Sequence, residues 1–275
     1  MALSSNFTTV DQLKIHYTEA GSGDVILLLH GWPTSAYLWR NMLPNLATKY
    51  RVIAVDLPGF GKSEKKLDDS YSFRYHARVL TDFLTNLGIE KLSLGVHDLG
   101  GPLGLYWAVN NFEKVERLIL FNTLVFPEFS NAVKLFGLAI RLPVISSVLT
   151  SQWGLKRALL FGVYQKNKLT KEAISQYQAP FKDTVSRKVL CKTIQRLSLK
   201  GMIEIGEKLP QFKGPVQIIY GERDKILPNV NKTMERVKVI LPQTHILTFP
   251  ECGHFLQEEE PEALSEAVLN FMEGS

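Results

Sequence analysis

Apolar residues fall in short, nearly unbroken blocks along the chain: Val25–His30, Val52–Asp56, Leu92–His97, Leu118–Phe121, Val216–Tyr220 and Ile246–Phe249. Blocks without polar alternation predict strands covered on both faces, as parallel strands between two helical layers are. Between the blocks the apolar period lengthens. Ala36–Ala47, Tyr75–Leu87, Pro102–Asn110 and Pro261–Met272 predict helices. Strand–helix alternation of this kind predicts an α/β protein with a mainly parallel central sheet and helices on both faces. Asn6–Val10 and Leu13–Tyr17 predict an antiparallel hairpin at one edge of it.

The alternation lapses between Val125 and Gly206. There the pattern is helical throughout, interrupted by Pro143, Gly154, Gly162 and Pro180, and Leu209–Pro215 leads back into a strand. The expectation is a core built from residues 1–124 and 207–275 with an inserted helical cap at 125–206. The apolar run Ala132–Leu149 has two readings, a pocket-lining cap helix or a helix lying on a membrane surface. Pro143 and the scarcity of cations within the run favour the first.

Composition narrows this picture. The chain has 275 residues, 45% of them hydrophobic, and a mean hydropathy of −0.01, values that suit a globular chain with a large core. Met1–Asn6 lacks the basic start and apolar run of a signal peptide, and no uninterrupted apolar window reaches membrane-spanning length. The two cysteines, Cys191 and Cys252, form neither a CxxC pair nor a metal-ligand spacing. A cytoplasmic protein without disulfides, metal, cofactor or stable membrane insertion is expected. The net charge is +5, but the basic residues are scattered, and the densest cluster, Lys62–Lys66, is interrupted by Ser63 and Glu64. That pattern predicts a solvated surface and no nucleic-acid partner.

The chemistry concentrates at three places. Leu92–His97, then Asp98-Leu-Gly-Gly-Pro, reads as a buried strand, a sharp turn carrying one acid, and small residues that let a helix begin at once. This is the geometry of a nucleophile elbow, with a carboxylate as the attacking group. A carboxylate is anionic at neutral pH and can attack a saturated carbon directly, leaving an ester for water to hydrolyse. Tyr220-Gly-Glu-Arg-Asp224 sets an acid just past a later strand, and Cys252-Gly-His254 sets a histidine in the loop before the final helix. Asp98, Asp224 and His254 all fall at carboxyl ends of strands, where sites of parallel sheets form. The roles that follow are Asp98 as nucleophile, His254 as the base for water, and Asp224 as the group that orients His254. Singly, each has a plainer reading: a turn acid, a helix cap, a surface histidine. Glu222 and Asn122 are weaker alternatives for the orienting position. The turn His30-Gly-Trp32-Pro predicts a backbone N–H that, with that of Leu99, forms an oxyanion hole. Asp56-Leu-Pro-Gly-Phe-Gly-Lys-Ser63 lacks the full GxxxxGK[ST] pattern and predicts a structural turn rather than a phosphate loop.

Together these residues resemble the aspartate-nucleophile branch of the α/β-hydrolases, which includes haloalkane dehalogenases and epoxide hydrolases. The resemblance rests on His30–Arg40, Asp56–Ser63, Val96–Gly101 and Gly253–Glu258 and spans the predicted core. It implies the α/β-hydrolase fold with a helical cap and a cofactor-independent hydrolase. Pro33–Arg40 and Tyr177–Phe181 are more similar to the dehalogenases. An orienting acid at Asp224 is similar to one dehalogenase subgroup and to most epoxide hydrolases. Dehalogenases usually carry a tryptophan directly after the nucleophile; here that residue is Leu99, with Trp32 and Trp153 as the indoles that replace it if both face Asp98. Epoxide hydrolases usually use two cap tyrosines as acids; the cap offers Tyr164 and Tyr177, and Ser186–Arg196 contains neither Tyr nor His. The resemblance therefore implies carbon–halogen cleavage first and epoxide hydrolysis second, in a pocket of Trp32, Trp153, Tyr164 and Tyr177 that takes a small apolar substrate and water. A lactone- or ester-acting relative and a non-catalytic ligand-binding protein on the same scaffold are the remaining alternatives.

Overall fold

The computed structural model describes residues 4–274. Eight strands, β1 (Ser4–Val10), β2 (Leu13–Ala20), β3 (Val25–Leu29), β4 (Arg51–Val55), β5 (Leu92–Asp98), β6 (Val115–Thr123), β7 (Val216–Gly221) and β8 (Thr244–Phe249), form one sheet in the order β1-β2-β4-β3-β5-β6-β7-β8. The β1–β2 and β2–β4 pairs are antiparallel and every other pair is parallel. The fold is therefore the expected α/β architecture, with the hairpin at one edge.

The unbroken apolar blocks have a direct cause. Leu27 and Leu29 of β3 face one core cluster, and Ile26 and Leu28 face the other. The same division holds for β4, where Ile53 and Val55 face one way and Val52 and Ala54 the other. With a helical layer on each side, no strand face is left for polar residues. The first cluster packs against α2 (Phe73–Asn86) and α3 (Gly100–Ala108). The second packs against the short helix α1 (Leu43–Leu46) and the terminal helix α12 (Pro261–Gly274). The predicted helix Ala36–Ala47 is instead a 3-10 turn, Ala36–Trp39, followed by α1.

Between β6 and β7 lie six helices: α4 (Asn131–Ala139), α5 (Pro143–Leu149), α6 (Gln152–Gly162), α7 (Lys171–Gln178), α8 (Thr184–Gln195) and α9 (Leu199–Lys208). Their punctuation is written in the sequence. Ser130, Ser151, Thr170, Asp183 and Ser198 each accept a first-turn N–H as N-caps, and Pro143 opens α5. The apolar run Ala132–Leu149 is two helices bent by 108°. No single described helix is long and apolar enough to cross a membrane. The last of these helices, α9, runs past position 206, the expected end of the cap, to Lys208; Met202 and Ile205 bury against the first core cluster. After β7 come α10 (Val230–Ile240) and, beyond β8, α11 (Leu256–Glu259).

Candidate active site

Asp98 closes β5 with φ of +49°, in the left-handed region that a residue with a side chain seldom occupies. Strain of this kind persists only where the surroundings impose it. Two glycines let the elbow close. A Cβ on Gly31 would stand 2.3 Å from the Asp98 carboxylate, and one on Gly101 would stand 1.6 Å from Thr123 Oγ1. The Thr123 hydroxyl in turn donates to the Asp98 carbonyl at 2.7 Å.

The Asp98 carboxylate is held asymmetrically. The Trp32 backbone N–H donates to Oδ1 at 2.6 Å, and the Leu99 N–H also bonds the carboxylate. Oδ2 faces His254 Nε2 at 3.3 Å. His254 Nδ1 lies 2.8 Å from Asp224 Oδ2, while the Ile226 and Leu227 N–H groups donate to Asp224 Oδ1 at 2.8 Å. The sheet thus brings Asp98, His254 and Asp224 into one line at the carboxyl ends of β5, β8 and β7, hydrogen-bonded between His254 and Asp224 and joined by a charge contact between His254 and Asp98, with Trp32 and Leu99 beside it.

This line is an ionic unit. Burial opposes charge on Asp98 and Asp224, but His254 and the N–H donors outweigh it, so both carboxyls sit below the ordinary carboxylate value. Burial likewise opposes charge on His254, yet Asp224 first and Asp98 second push its imidazole up to about 10. The neighbouring His97, buried and next to the His254 charge, is pushed down to about 3 and is neutral. Its Nε2 hydrogen-bonds the His254 carbonyl at 2.9 Å and so fixes the His254 backbone.

Several residues expected at the pocket are elsewhere. Trp153 is 65% exposed, with Arg157 over its ring. Tyr164 is 40% exposed, with Arg223 over its ring. Trp153 lies on the outer face of α6, and Tyr164 lies in the bend that follows it. Tyr177 is buried, but its hydroxyl is bound to Glu258 at 2.5 Å. Trp32 alone of the expected aromatic group stands at Asp98. Its indole Nε1 is buried and has no hydrogen-bond partner among the described residues, and its ring packs edge-on against Phe136 of α4.

Other residues support the site without having been singled out. Asn122, one residue before the end of β6, has φ of +27°. It is not the orienting acid but a donor to it, giving Nδ2–H to Asp224 Oδ2 at 2.6 Å and accepting the Gly221 N–H at 3.0 Å. Glu222 is exposed. Glu259 accepts the N–H groups of Gly253, Tyr164 and Gln165 at 2.5–2.6 Å. The His254 N–H donates to the Gly162 carbonyl at 2.7 Å. The His254 loop is therefore fastened to the end of α6. In the acidic run Glu258-Glu259-Glu260, Glu258 and Glu259 are buried. Asp56 accepts the N–H groups of Ala36 and Lys62 and bonds His16, so the Asp56–Ser63 turn winds around a carboxylate. Among the described residues, no cluster of His, Cys, Asp or Glu has the arrangement of a metal site.

Known proteins share this fold. A family model described as the alpha/beta hydrolase fold matches residues 24–261. The chain is 29% identical over 270 residues to the uncharacterized hydrolase YugF of Bacillus subtilis, covering 96% of each chain. It is 27% identical over 262 residues to haloalkane dehalogenase 2 of Mycobacterium tuberculosis, covering 93% of this chain and 90% of the relative. Among solved structures, the epoxide hydrolase CorEH superposes with a TM-score of 0.83 at 26% identity, covering 99% of both chains.

Proposed function

The chain belongs to the α/β-hydrolase fold family, and we propose that it is a hydrolase of the haloalkane dehalogenase type, cleaving a carbon–halogen bond through an alkyl ester of Asp98. The observation that carries this reading is the asymmetric Asp98 carboxylate, with Oδ1 held by the Trp32 backbone N–H and Oδ2 facing His254 at 3.3 Å. In the first step Oδ2 attacks the halogen-bearing carbon, and the carbon–halogen electron pair leaves with halide. Forming the ester removes the Asp98 charge, one of the two that hold the proton on His254. The imidazolium then releases that proton to solvent, as the counterpart of the departing halide, and becomes a base. It takes a proton from water, which attacks Cγ of the ester. The oxyanion forms on Oδ1 against the N–H groups of Trp32 and Leu99, and Asp224 stabilises the imidazolium. Collapse breaks the bond from Cγ to the alkyl oxygen, which takes the imidazolium proton and leaves as the alcohol; the proton remaining on the Asp98 carboxyl passes to His254 and restores the ion pair.

Two observations favour a leaving group that departs as an anion. Trp32, whose backbone N–H holds Asp98, carries a buried indole Nε1 donor with no hydrogen-bond partner among the described residues. Neither expected tyrosine presents its hydroxyl to Asp98: Tyr164 is on the surface and Tyr177 is bound to Glu258. An epoxide oxygen needs a proton on opening; a halide does not. Epoxide hydrolysis by the same three residues is the second reading, supported by the likeness to CorEH.

The test is intact-mass spectrometry of His254→Gln after exposure to 1-bromobutane and, separately, to a terminal epoxide. Loss of the base slows ester hydrolysis by on the order of 10²–10⁴-fold, so the ester accumulates. A gain of one butyl group mapped to Asp98 is the expected result. A gain of a whole epoxide with none from bromobutane assigns the second reading. No adduct from either, in a folded protein, overturns both.

A further inference from the structure

We propose that the corner formed by α4 and α5 is a docking surface for an anionic phospholipid bilayer. The inference concerns the outer side of these helices and does not depend on the reaction assigned to Asp98.

A helix packed on a core by one face should present polar residues on the other. Helix α4 does not. Val133 and Phe136 pack inward, Phe136 against Trp32, while Leu135 and Leu138 face outward at 68% and 58% exposure. The pattern continues around the bend through Leu142, Val144, Ile145 and Val148, all exposed, Val144 to 78%. The corner is pinned rather than loose. Ile140 is fully buried at the bend, and Gln195 of α8 donates to its carbonyl at 2.9 Å. Six large apolar side chains are thus held outward on one rigid corner, which marks an interaction surface rather than scattered exposure.

The charge beside this corner identifies the occupant. The opposite side of α5, through Pro143, Ser146, Ser147 and Thr150, walls a cavity of about 600 Å³ whose other wall is α8. Arg141, Arg187, Lys188, Lys192 and Arg196 line it, with hydroxyls from both helices and no acidic residue. Among the described residues none of the five cations has an ion-pair partner, and the buried Nε of Arg187 has no hydrogen-bond partner. On α8 the residues Thr184, Arg187, Lys188, Cys191, Lys192 and Gln195 form one helical face, so the basic wall is a continuous stripe. An apolar ridge that enters the acyl boundary, with a cationic hollow directly behind it for phosphate, matches an anionic lipid surface. A second protein copy would bring the same uncompensated cations against its own and be repelled.

The test is flotation of the full chain with vesicles of phosphatidylcholine alone and of phosphatidylcholine containing one third phosphatidylglycerol. Binding to the anionic vesicles at least about tenfold above the neutral ones, falling as salt is raised, is expected. Val144→Glu/Val148→Glu is expected to abolish flotation, and Lys188→Glu/Arg196→Glu to remove the preference for anionic lipid. All four positions are exposed, and circular dichroism checks that both variants stay folded. Absence of flotation at low salt overturns the proposal, as does flotation that neither variant alters. A dimer in solution that Val144→Glu/Val148→Glu converts to monomer, without vesicle binding by either form, also overturns it and reassigns the face to a contact between copies.

Discussion

At the scale of the residue, Asp98, His254 and Asp224 act as one charge cluster, and its pH response has a definite sign. His254 has a raised value in the folded chain, about 10 against an ordinary 6.5. Its contribution to stability is therefore complete below 6.5 and is lost as pH rises toward 10. Thermal melts over that window are expected to fall in the parent chain and to fall less in His254→Gln. The depressed carboxyls behave oppositely, contributing above their ordinary 3.8 and failing as pH drops below it. Asn122 offers a sharper probe. Asn122→Leu removes the Nδ2–H donor from a buried carboxylate and strands the Gly221 N–H. It is expected to cost about 1–3 kcal/mol by urea denaturation and to slow decay of the Asp98 adduct more than its formation. Equal slowing of both steps would show that Asn122 does not act through Asp224 and His254.

At the scale of the element, the elbow and the His254 loop are each secured by contacts between segments far apart in sequence. The β5–α3 turn closes because Gly101 lies against Thr123 of β6. Gly101→Ala leaves no room for its Cβ and is expected to destabilise by about 1–3 kcal/mol or more, read as a lowered melting temperature and reduced soluble yield. The His254 loop is tied to the end of α6 through Glu259 and the Gly162 carbonyl. Glu259→Gln keeps one acceptor oxygen and loses the other. The expected result is a loss of roughly 1–3 kcal/mol, with adduct hydrolysis slowed and adduct formation little changed. Formation slowed as much as hydrolysis would mean that Glu259 supports the whole core rather than this loop.

At the scale of the whole molecule, the buried histidines shape the stability curve. Burial pushes His76 and His97 down to about 3, and His30 is also lowered. These three bind protons more readily in the unfolded chain, so stability is present above 6.5 and is lost as pH falls toward 3. With His254 acting in the opposite direction, melting temperature is expected to peak near neutrality and to decline on both sides. His76 has both ring nitrogens buried without partners among the described residues. His76→Phe is expected to flatten the acid side of the curve; an unchanged acid side would assign it to His30, His97 and the carboxylates.

The pattern of apolar blocks was enough to determine the sheet, because parallel strands between two helical layers leave no polar face. The turn chemistry was enough to place Asp98, Asp224 and His254 at strand ends. Caps such as Ser130 and Asp183 made the inserted helices legible, since they act within one turn of chain. The sequence could not determine which way the side chains of those helices face. Trp153 on α6 turns outward and Tyr177 on α7 turns to Glu258, because orientation depends on how each helix is rotated against its neighbours, and Tyr164 is exposed in the bend after α6. For the same reason the support given by Asn122 and Glu259 was hidden: each acts on backbone groups far away in the chain. The two sides of the α4–α5 corner were likewise hidden. An apolar run reads the same whether its residues are buried or exposed, and only the packing of Ile140 and Phe136 inward decides that Leu135, Leu138 and Val144 are left outside.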